Sequence, residues 1–453
     1  MRGCDQLSLD RHETARCAWI RYKRLRFQIA LAKRWHYVWA LIDLSFDFSL
    51  VSPDHLRLLF RTTANEVKLQ QTIGAARARP DHRISIEEQN YALREIVSWP
   101  SYAPTPLDDL RGLSNCFNVD SIWYKDEAER FGLGSFKALG GAYAALRILQ
   151  RELEKAIGRR ISSKELRTGE FQEFTRRITL TTATDGNHGR SVAWAASLFG
   201  CRSVIYVPQQ CSTGREVAIR GYGATVVRTT SGYDATVRQC VRDAERDGFF
   251  VVSDTSWPDY FEIPSQIMAG YTVMLAEALD QLKGNRPTHV FVQCGVGGLA
   301  GAVSEFLVQR FEPIPSVVVV EPEHAACMFA SAIAGKPVRA PEALGTVMAG
   351  LDCAEVSMLA WEILSRRANA FMTIPDSSAT LCMRVLKDPP LGDLPIVAGE
   401  SGVAGLAALL LAASHSHLRA ELRLDEDSRI LVFGTEGATD PEVYNRLLKH
   451  GFS

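Results

Sequence analysis

The feature that most constrains this chain is a march of short β-branched runs, each followed by a helical pattern. "SIWYKDE" (121–127), "RITLTTAT" (177–184), "RSVIYVP" (202–208), "ATVVRTT" (224–230) and "FFVVSDT" (249–255) have the length and β-branching of buried strands. "RSVAWAASLFG", "TGREVAIRGYG" and "YDATVRQCVRDAERDG" lie between them and read as helices. A second block repeats the order: "THVFVQC" runs into "GVGGLAG" and a helix, then "PSVVVVEPE", "LPIVAGESGVAGLAALLLAA" and "SRILVFGTEGATD" close the series. Apolar strands separated by helices predict parallel sheets covered on both faces. The expected fold class is therefore α/β, with two doubly wound sheet domains. The boundaries expected are a large domain over 86–136 and 251–453, a small α/β domain over 137–250, and an atypical N-terminal extension over 1–85. Ligands of such folds sit where the carboxyl ends of strands meet their loops.

Composition narrows the function classes. A net charge of −1 gives no global attraction to nucleic acid or to an anionic membrane, so neither is expected as a partner. Ten cysteines in 453 residues, with no CxxC pair, are too sparse for a disulfide scaffold and suggest a reducing, cytoplasmic setting. Cys327 and Cys353 lie in neighbouring segments, and the sequence leaves open whether they bond. His415 and His417 form an HxH pair without further ligands, which reads as a surface feature rather than a metal site. In the N-terminal segment, Lys33 and Arg34 interrupt the apolar run, so no membrane span is expected there. That segment has neither the order of a signal peptide nor the acid-poor character of a transit peptide. A membrane-surface or partner helix is the alternative to a weakly ordered extension.

Four loops at strand ends carry chemical character. "RFGLGSFKALGGAYA" holds a lone lysine, Lys137, before the pair Gly140–Gly141. It is either a solvent-reaching residue at a helix start or an amine placed for chemistry. "CGVGGLAG" offers Gly295, Gly297 and Gly298 before a helix. That suits a phosphate dianion, though a tight turn explains it as well. It lacks the Lys-Ser/Thr of a P-loop and the spacing of a dinucleotide fingerprint, which disfavours a nicotinamide enzyme. "TTATDGNHG" places Asp185 and Asn187 after a buried strand, as helix caps or as a base and a donor facing a cleft. "FGTEGATD" puts the Thr435 hydroxyl at a strand end. Taken together, an amine, a phosphate cradle, an amide donor and a hydroxyl are the parts that pyridoxal 5'-phosphate requires.

At these residues the chain resembles the tryptophan synthase β-like, fold type II family of pyridoxal phosphate enzymes. Within it, the chain is similar to the branch of ammonia-lyases acting on 2,3-diaminopropionate. The motifs that carry the resemblance are "PTPL" (104–107), "KDEAERFGLGSFKALGGAYA", "TTATDGNHGRSVAWAA", "VVSDTSWPDY", "CGVGGLAG", "AGESGVAGL" and "GTEGATD". In this order they span roughly 86–450. The broader family has a shorter "SxKxR" lysine motif and an "SxGNxG" loop, whereas "SFKALGG" and "TDGNHGR" favour the ammonia-lyase branch. The resemblance implies that Lys137 holds the cofactor covalently and that Asn187 bonds its phenolic oxygen. It places Gly295, Val296, Gly297 and Gly298 around the phosphate and Thr435 at the pyridine nitrogen. Asp185 and Asp254 match acidic positions that handle the substrate, Asp185 as the base toward the D enantiomer. It also implies a small amino-acid substrate and a homodimer. The readings that remain beside it are a serine or threonine dehydratase on the same fold and a non-catalytic regulatory protein.

Overall fold

A computed structural model describes residues 51–64, 67–72, 83–340 and 345–450, all within one compact unit spanning Ser49–Ser453. The segment 1–50, and with it most of the expected extension, lies outside the described residues.

Eleven strands form two sheets among the described residues. They are β1 (Leu69–Gln71), β2 (Leu107–Asp109), β3 (Ser121–Asp126), β4 (Thr179–Ala183), β5 (Arg202–Val207), β6 (Thr225–Arg228), β7 (Phe250–Val251), β8 (His289–Gln293), β9 (Ser316–Pro322), β10 (Ala370–Ile374) and β11 (Arg429–Gly434). Seven strands make the large sheet in the order β1-β10-β9-β8-β11-β3-β2, and four make the small one in the order β6-β5-β4-β7. All pairings in the small sheet are parallel, with Thr181 opposite Val204 and Val251. In the large sheet only the edge strands β1 and β2 run antiparallel. The two doubly wound sheets of the expected α/β fold are thus present.

Some local expectations shift. The large sheet reaches back before residue 86, because β1 pairs with β10 and the helix Pro53–Thr63 buries Leu56, Leu59 and Phe60. "FFVVSDT" supplies only two strand residues. The Tyr260 hydroxyl donates to Val251 O (2.8 Å) and accepts from Ser253 N (3.1 Å), which turns the backbone out of the sheet and toward the cleft. "LPIVAGESG" forms no strand and enters a helix at Ala404.

Six helices position the site: α1 (Lys137–Ile157), α2 (Asn187–Phe199), α3 (Thr213–Arg220), α4 (Glu262–Gln281), α5 (Gly298–Arg310) and α6 (Ala404–Ala413). Helix α1 is built from good helix formers, and Gly158 ends it at φ 74°, a left-handed conformation that suits glycine. It is buried on Leu139, Ala142, Tyr143, Leu146, Leu149 and Leu153, and it packs against both α2 and α4. One hydrophobic core runs from the small sheet through α1, α2 and α4 to β8, β9 and α5. The amino ends of α1, α2 and α5 come together along one cleft.

Candidate active site

The lysine loop is anchored before it reaches its lysine. Arg130, 1% exposed, is bonded to both oxygens of Glu127 and of Glu277. Phe131 takes φ 54°, unusual for a bulky residue, and stacks on Trp194 with ring centres 5.0 Å apart. Phe136 N then donates to Thr435 O at 3.0 Å, so two of the four sequence-derived loops are tied by the backbone. Lys137 follows as the first residue of α1.

The pair Gly140–Gly141 is explained by close approach. A Cβ at Gly140 would sit 2.5 Å from Tyr271 Cε1 and 2.8 Å from Ile267 O of α4. At Gly141 it would sit 2.0 Å from Ser191 Oγ of α2. The glycines let two helices crowd the first turn of α1, which brings Tyr271 and His188 beside the lysine.

Lys137 Nζ lies 2.7 Å from Asp254 Oδ2, and 5.3 and 5.9 Å from the ring centres of Phe136 and Tyr271. Burial alone would lower its proton affinity, but the Asp254 carboxylate outweighs it and holds the ammonium well above the ordinary lysine range. Burial would raise Asp254, yet the Lys137 ammonium holds it well below the usual carboxylate range. His188 is pushed down by burial. Its Nε2 faces Val252 O at 2.7 Å, so that nitrogen carries the hydrogen. Nδ1 is left as a buried acceptor without a partner among the described residues, 4.0 Å from Asp254.

The loop after β4 begins α2, but its cap differs from expectation. Neither Asp185 nor Asn187 caps the helix. Thr184 Oγ1 accepts from Gly186 N (2.9 Å) and Gly189 N (3.0 Å), which frees both polar side chains for the cleft. Asp185 is half-buried, and its carboxyl is pushed up to about 7. Burial is the main cause; Arg215 opposes it, while Asp352, Asp254 and Asp234 add to it. Asn187 donates through Nδ2 to Glu436.

The glycine turn after β8 leads into α5, a 13-residue helix with no side-chain cap, so its first amides remain available. Gly297 takes φ 105°, and a Cβ there would lie 2.6 Å from Met328 Cε and 2.7 Å from Ala360 Cβ. Cys294, Cys327 and Cys353 surround Gly295 as buried free thiols. Cys327 and Cys353 are therefore not bonded, and burial first of all holds both thiols well above the usual range.

Lys137, Asp185, Asn187, Asp254, Gly295, Val296, Gly297, Gly298 and Thr435 all line one cleft, about 920 Å³ with its mouth counted. Every site residue expected from sequence is thus brought to one place. The fit to pyridoxal phosphate rests on the uncapped α5 with its glycine turn, on the amine of Lys137, and on His188 Nδ1 and the Tyr271 hydroxyl, buried at the cleft wall with no hydrogen-bond partner among the described residues. Sequence reasoning missed Gln293, Glu436, Arg215, His188 and Tyr271. Gln293 Nε2 donates to Thr435 Oγ1 at 2.8 Å, so the Thr435 hydroxyl hydrogen is directed elsewhere. Arg215 pairs with Glu400 at 2.7 Å. Gln293 and Glu436 had a signal, being polar residues at the ends of apolar strands inside stretches already singled out. Tyr271 had none, because it sits in a helix buried nearly all round.

A model of the family "Pyridoxal-phosphate dependent enzyme" matches residues 99–436. The chain is 42% identical over 358 residues to a diaminopropionate ammonia-lyase of Escherichia coli (strain K12), covering 77% of this chain and 88% of that one. It is 39% identical over 364 residues to the diaminopropionate ammonia-lyase of Salmonella typhimurium, covering 78% and 90%. A crystal structure of the Escherichia coli protein in complex with an aminoacrylate–PLP azomethine reaction intermediate superposes with a TM-score of 0.78 at 37% identity, covering 86% of this chain and 98% of that one.

Proposed function

The chain belongs to the pyridoxal-phosphate dependent enzyme family, and from that premise we propose that it is an ammonia-lyase converting 2,3-diaminopropionate to pyruvate and two ammonia. The observation that carries this reading is the cleft itself, where the Lys137 amine shares one wall system with the glycine turn and uncapped helix α5. The relatives supply the substrate, since both are diaminopropionate ammonia-lyases matched over most of their length.

Lys137 would hold the cofactor covalently through Nζ. Gly295, Val296, Gly297 and Gly298 and the first amides of α5 would receive its phosphate. Asn187 would donate to its phenolic oxygen, and the Thr435 hydroxyl would serve its ring nitrogen. When bound, the cofactor withdraws electrons from the α-carbon of the substrate. As a free amine Lys137 would take the α-proton on one side, and Asp185 would take it from the D enantiomer. With its carboxyl pushed up to about 7, Asp185 is poised to accept and release a proton near neutrality. In the cofactor-free cleft Asp254 Oδ2 accepts from Lys137 Nζ at 2.7 Å and holds its proton. The electrons of the broken C–H bond form the double bond, and the β-amine leaves as ammonia. The released enamine hydrolyses to pyruvate and the second ammonia.

A homodimer in the cytoplasm, with a small amino acid as its only substrate partner, is part of the same reading. Among the described residues no helix is long and apolar enough to cross a membrane. The large cofactor-binding domain over 86–136 and 251–453 and the small α/β domain over 137–250 are proposed as the two domains that border the cleft. The deciding experiment offers purified protein D- and L-diaminopropionate, serine and threonine, and measures pyruvate and ammonia. The reading expects two ammonia per pyruvate from diaminopropionate. Turnover of serine or threonine without turnover of the diamine would overturn it in favour of a dehydratase.

A further inference from the structure

The "AGESG" stretch is absorbed by none of the roles above, yet it wraps one side chain of the site. Glu436 is 4% exposed, and its carboxylate receives two donors: Ser401 N at 3.0 Å on Oε1 and Asn187 Nδ2 on Oε2. The loop is moulded to it. Gly399 N donates to Glu436 O at 2.9 Å. A Cβ at Gly399 would lie 3.0 Å from Glu436 Cγ, and one at Gly402 would lie 2.7 Å from Glu436 O. Ser401 is fixed in turn, because its Oγ accepts from Gly350 N at 3.0 Å. Glu400, next to it, holds Arg215.

Both Glu436 carboxyl oxygens accept hydrogen bonds here, whereas an asparagine amide has one end that donates and one that accepts. Glu436 therefore dictates which end of Asn187 faces it. With one Nδ2 hydrogen on Glu436, the second has no acceptor among the described residues, and Asn187 lines the cleft. We propose that Glu436 is a positioning residue: held by the "AGESG" loop, it fixes the flip of the Asn187 amide so that an N–H, rather than the oxygen, is presented to the phenolic oxygen of the cofactor. This rests on the reading of Asn187 given above. It adds that a residue on the large-sheet side sets the chemistry of a loop on the small-sheet side.

The test is a double-mutant cycle on full-length protein with Glu436→Gln, Asn187→Ala and the pair, read without substrate. The two readouts are the dissociation constant of pyridoxal phosphate, from quenching of protein fluorescence, and the absorption maximum of the bound cofactor. Glutamine keeps the size of Glu436 and an acceptor for Ser401 N, but it turns an N–H toward Asn187, so that amide must reverse. The expected result is about a tenfold loss of cofactor affinity and a shifted absorption maximum in Glu436→Gln, in line with loss of a hydrogen bond to a charged group. In the Asn187→Ala background the same substitution should change neither readout. An equal loss in both backgrounds would overturn the proposal, because Glu436 would then act without Asn187. So would an unchanged affinity and spectrum in Glu436→Gln. If the glutamine variant fails to fold, Glu436→Ala, which leaves the Asn187 amide no acceptor to fix it, repeats the cycle with the same outcomes expected. Failure of the underlying reading looks different: wild-type protein would then develop no visible band with pyridoxal phosphate, or Lys137→Ala would keep it.

Discussion

Two lysines twelve positions apart in the chain both sit beside a carboxylate, one fully buried and one lining the cleft with its side chain 21% exposed. Lys125, on β3, is 0% exposed and donates to Thr105 O (2.7 Å) and Gln281 Oε1 (2.9 Å), with Glu277 at 2.9 Å. Every hydrogen of its ammonium is taken, and burial lowers its proton affinity. Lys137 has Asp254 as its one hydrogen-bonded carboxylate, with aromatic faces and unpartnered polar atoms around it. On the role proposed for Lys137, the difference teaches that a neighbouring carboxylate alone does not mark a reactive amine. What marks it is unfilled bonding capacity at the wall of a cleft, maintained by glycines that leave room for it. The cluster of Lys125, Arg130, Glu127 and Glu277 is complete in itself and anchors the chain leading to Lys137.

The largest test of this contrast exchanges the two residues' fates. Lys137→Ala should lower turnover roughly 1,000-fold or more, as removal of a covalent group does, and abolish the visible absorption of bound cofactor. Substantial remaining turnover would break the comparison. Lys125→Met should do the reverse. It leaves Glu277 with one cation fewer in a closed site and should cost about 3 kcal/mol in urea unfolding, while the folded fraction keeps its turnover per molecule.

Gly297→Ala comes next. At φ 105° with two side-chain atoms in the way, the substitution should cost about 2 kcal/mol, read mainly as weaker cofactor retention on dialysis. If retention were unchanged, the glycine turn would not be the phosphate cradle.

The smallest expected effect concerns Asp185, the group on the open side of the contrast. Its carboxyl stands near 7 in the folded protein against an ordinary value of 3.8. A carboxyl raised on folding favours the protonated state, so its stabilising contribution is full below about pH 4 and is lost as pH rises through about 7. Asp185→Asn should flatten stability across that window in thermal melts. A base must be ionised, so activity on D-diaminopropionate should rise with pH through about 7 in the wild type and lose that rise in the variant, with the L enantiomer less affected. Equal losses on both enantiomers would remove the stereochemical role.

Much of the site was legible because strand ends in a doubly wound sheet converge, so loops hundreds of residues apart in sequence meet without a long-range signal being needed. The three-residue edge strands β1 and β2 were not legible, since runs that short carry no periodicity. The orienting partners were hidden for another reason. Gln293, Glu436 and Tyr271 act by where a side chain points, and that is set by packing between elements distant in the chain.

By itself the sequence determined the alternation of strands and helices, the glycine turn before α5 and the lysine at the head of α1, because propensity, periodicity and glycine geometry are local. Only the tertiary structure decided which lysine remains chemically available, which carboxylate holds it and which way the Asn187 amide faces. Those depend on distances of a few ångströms between groups that the chain order leaves far apart.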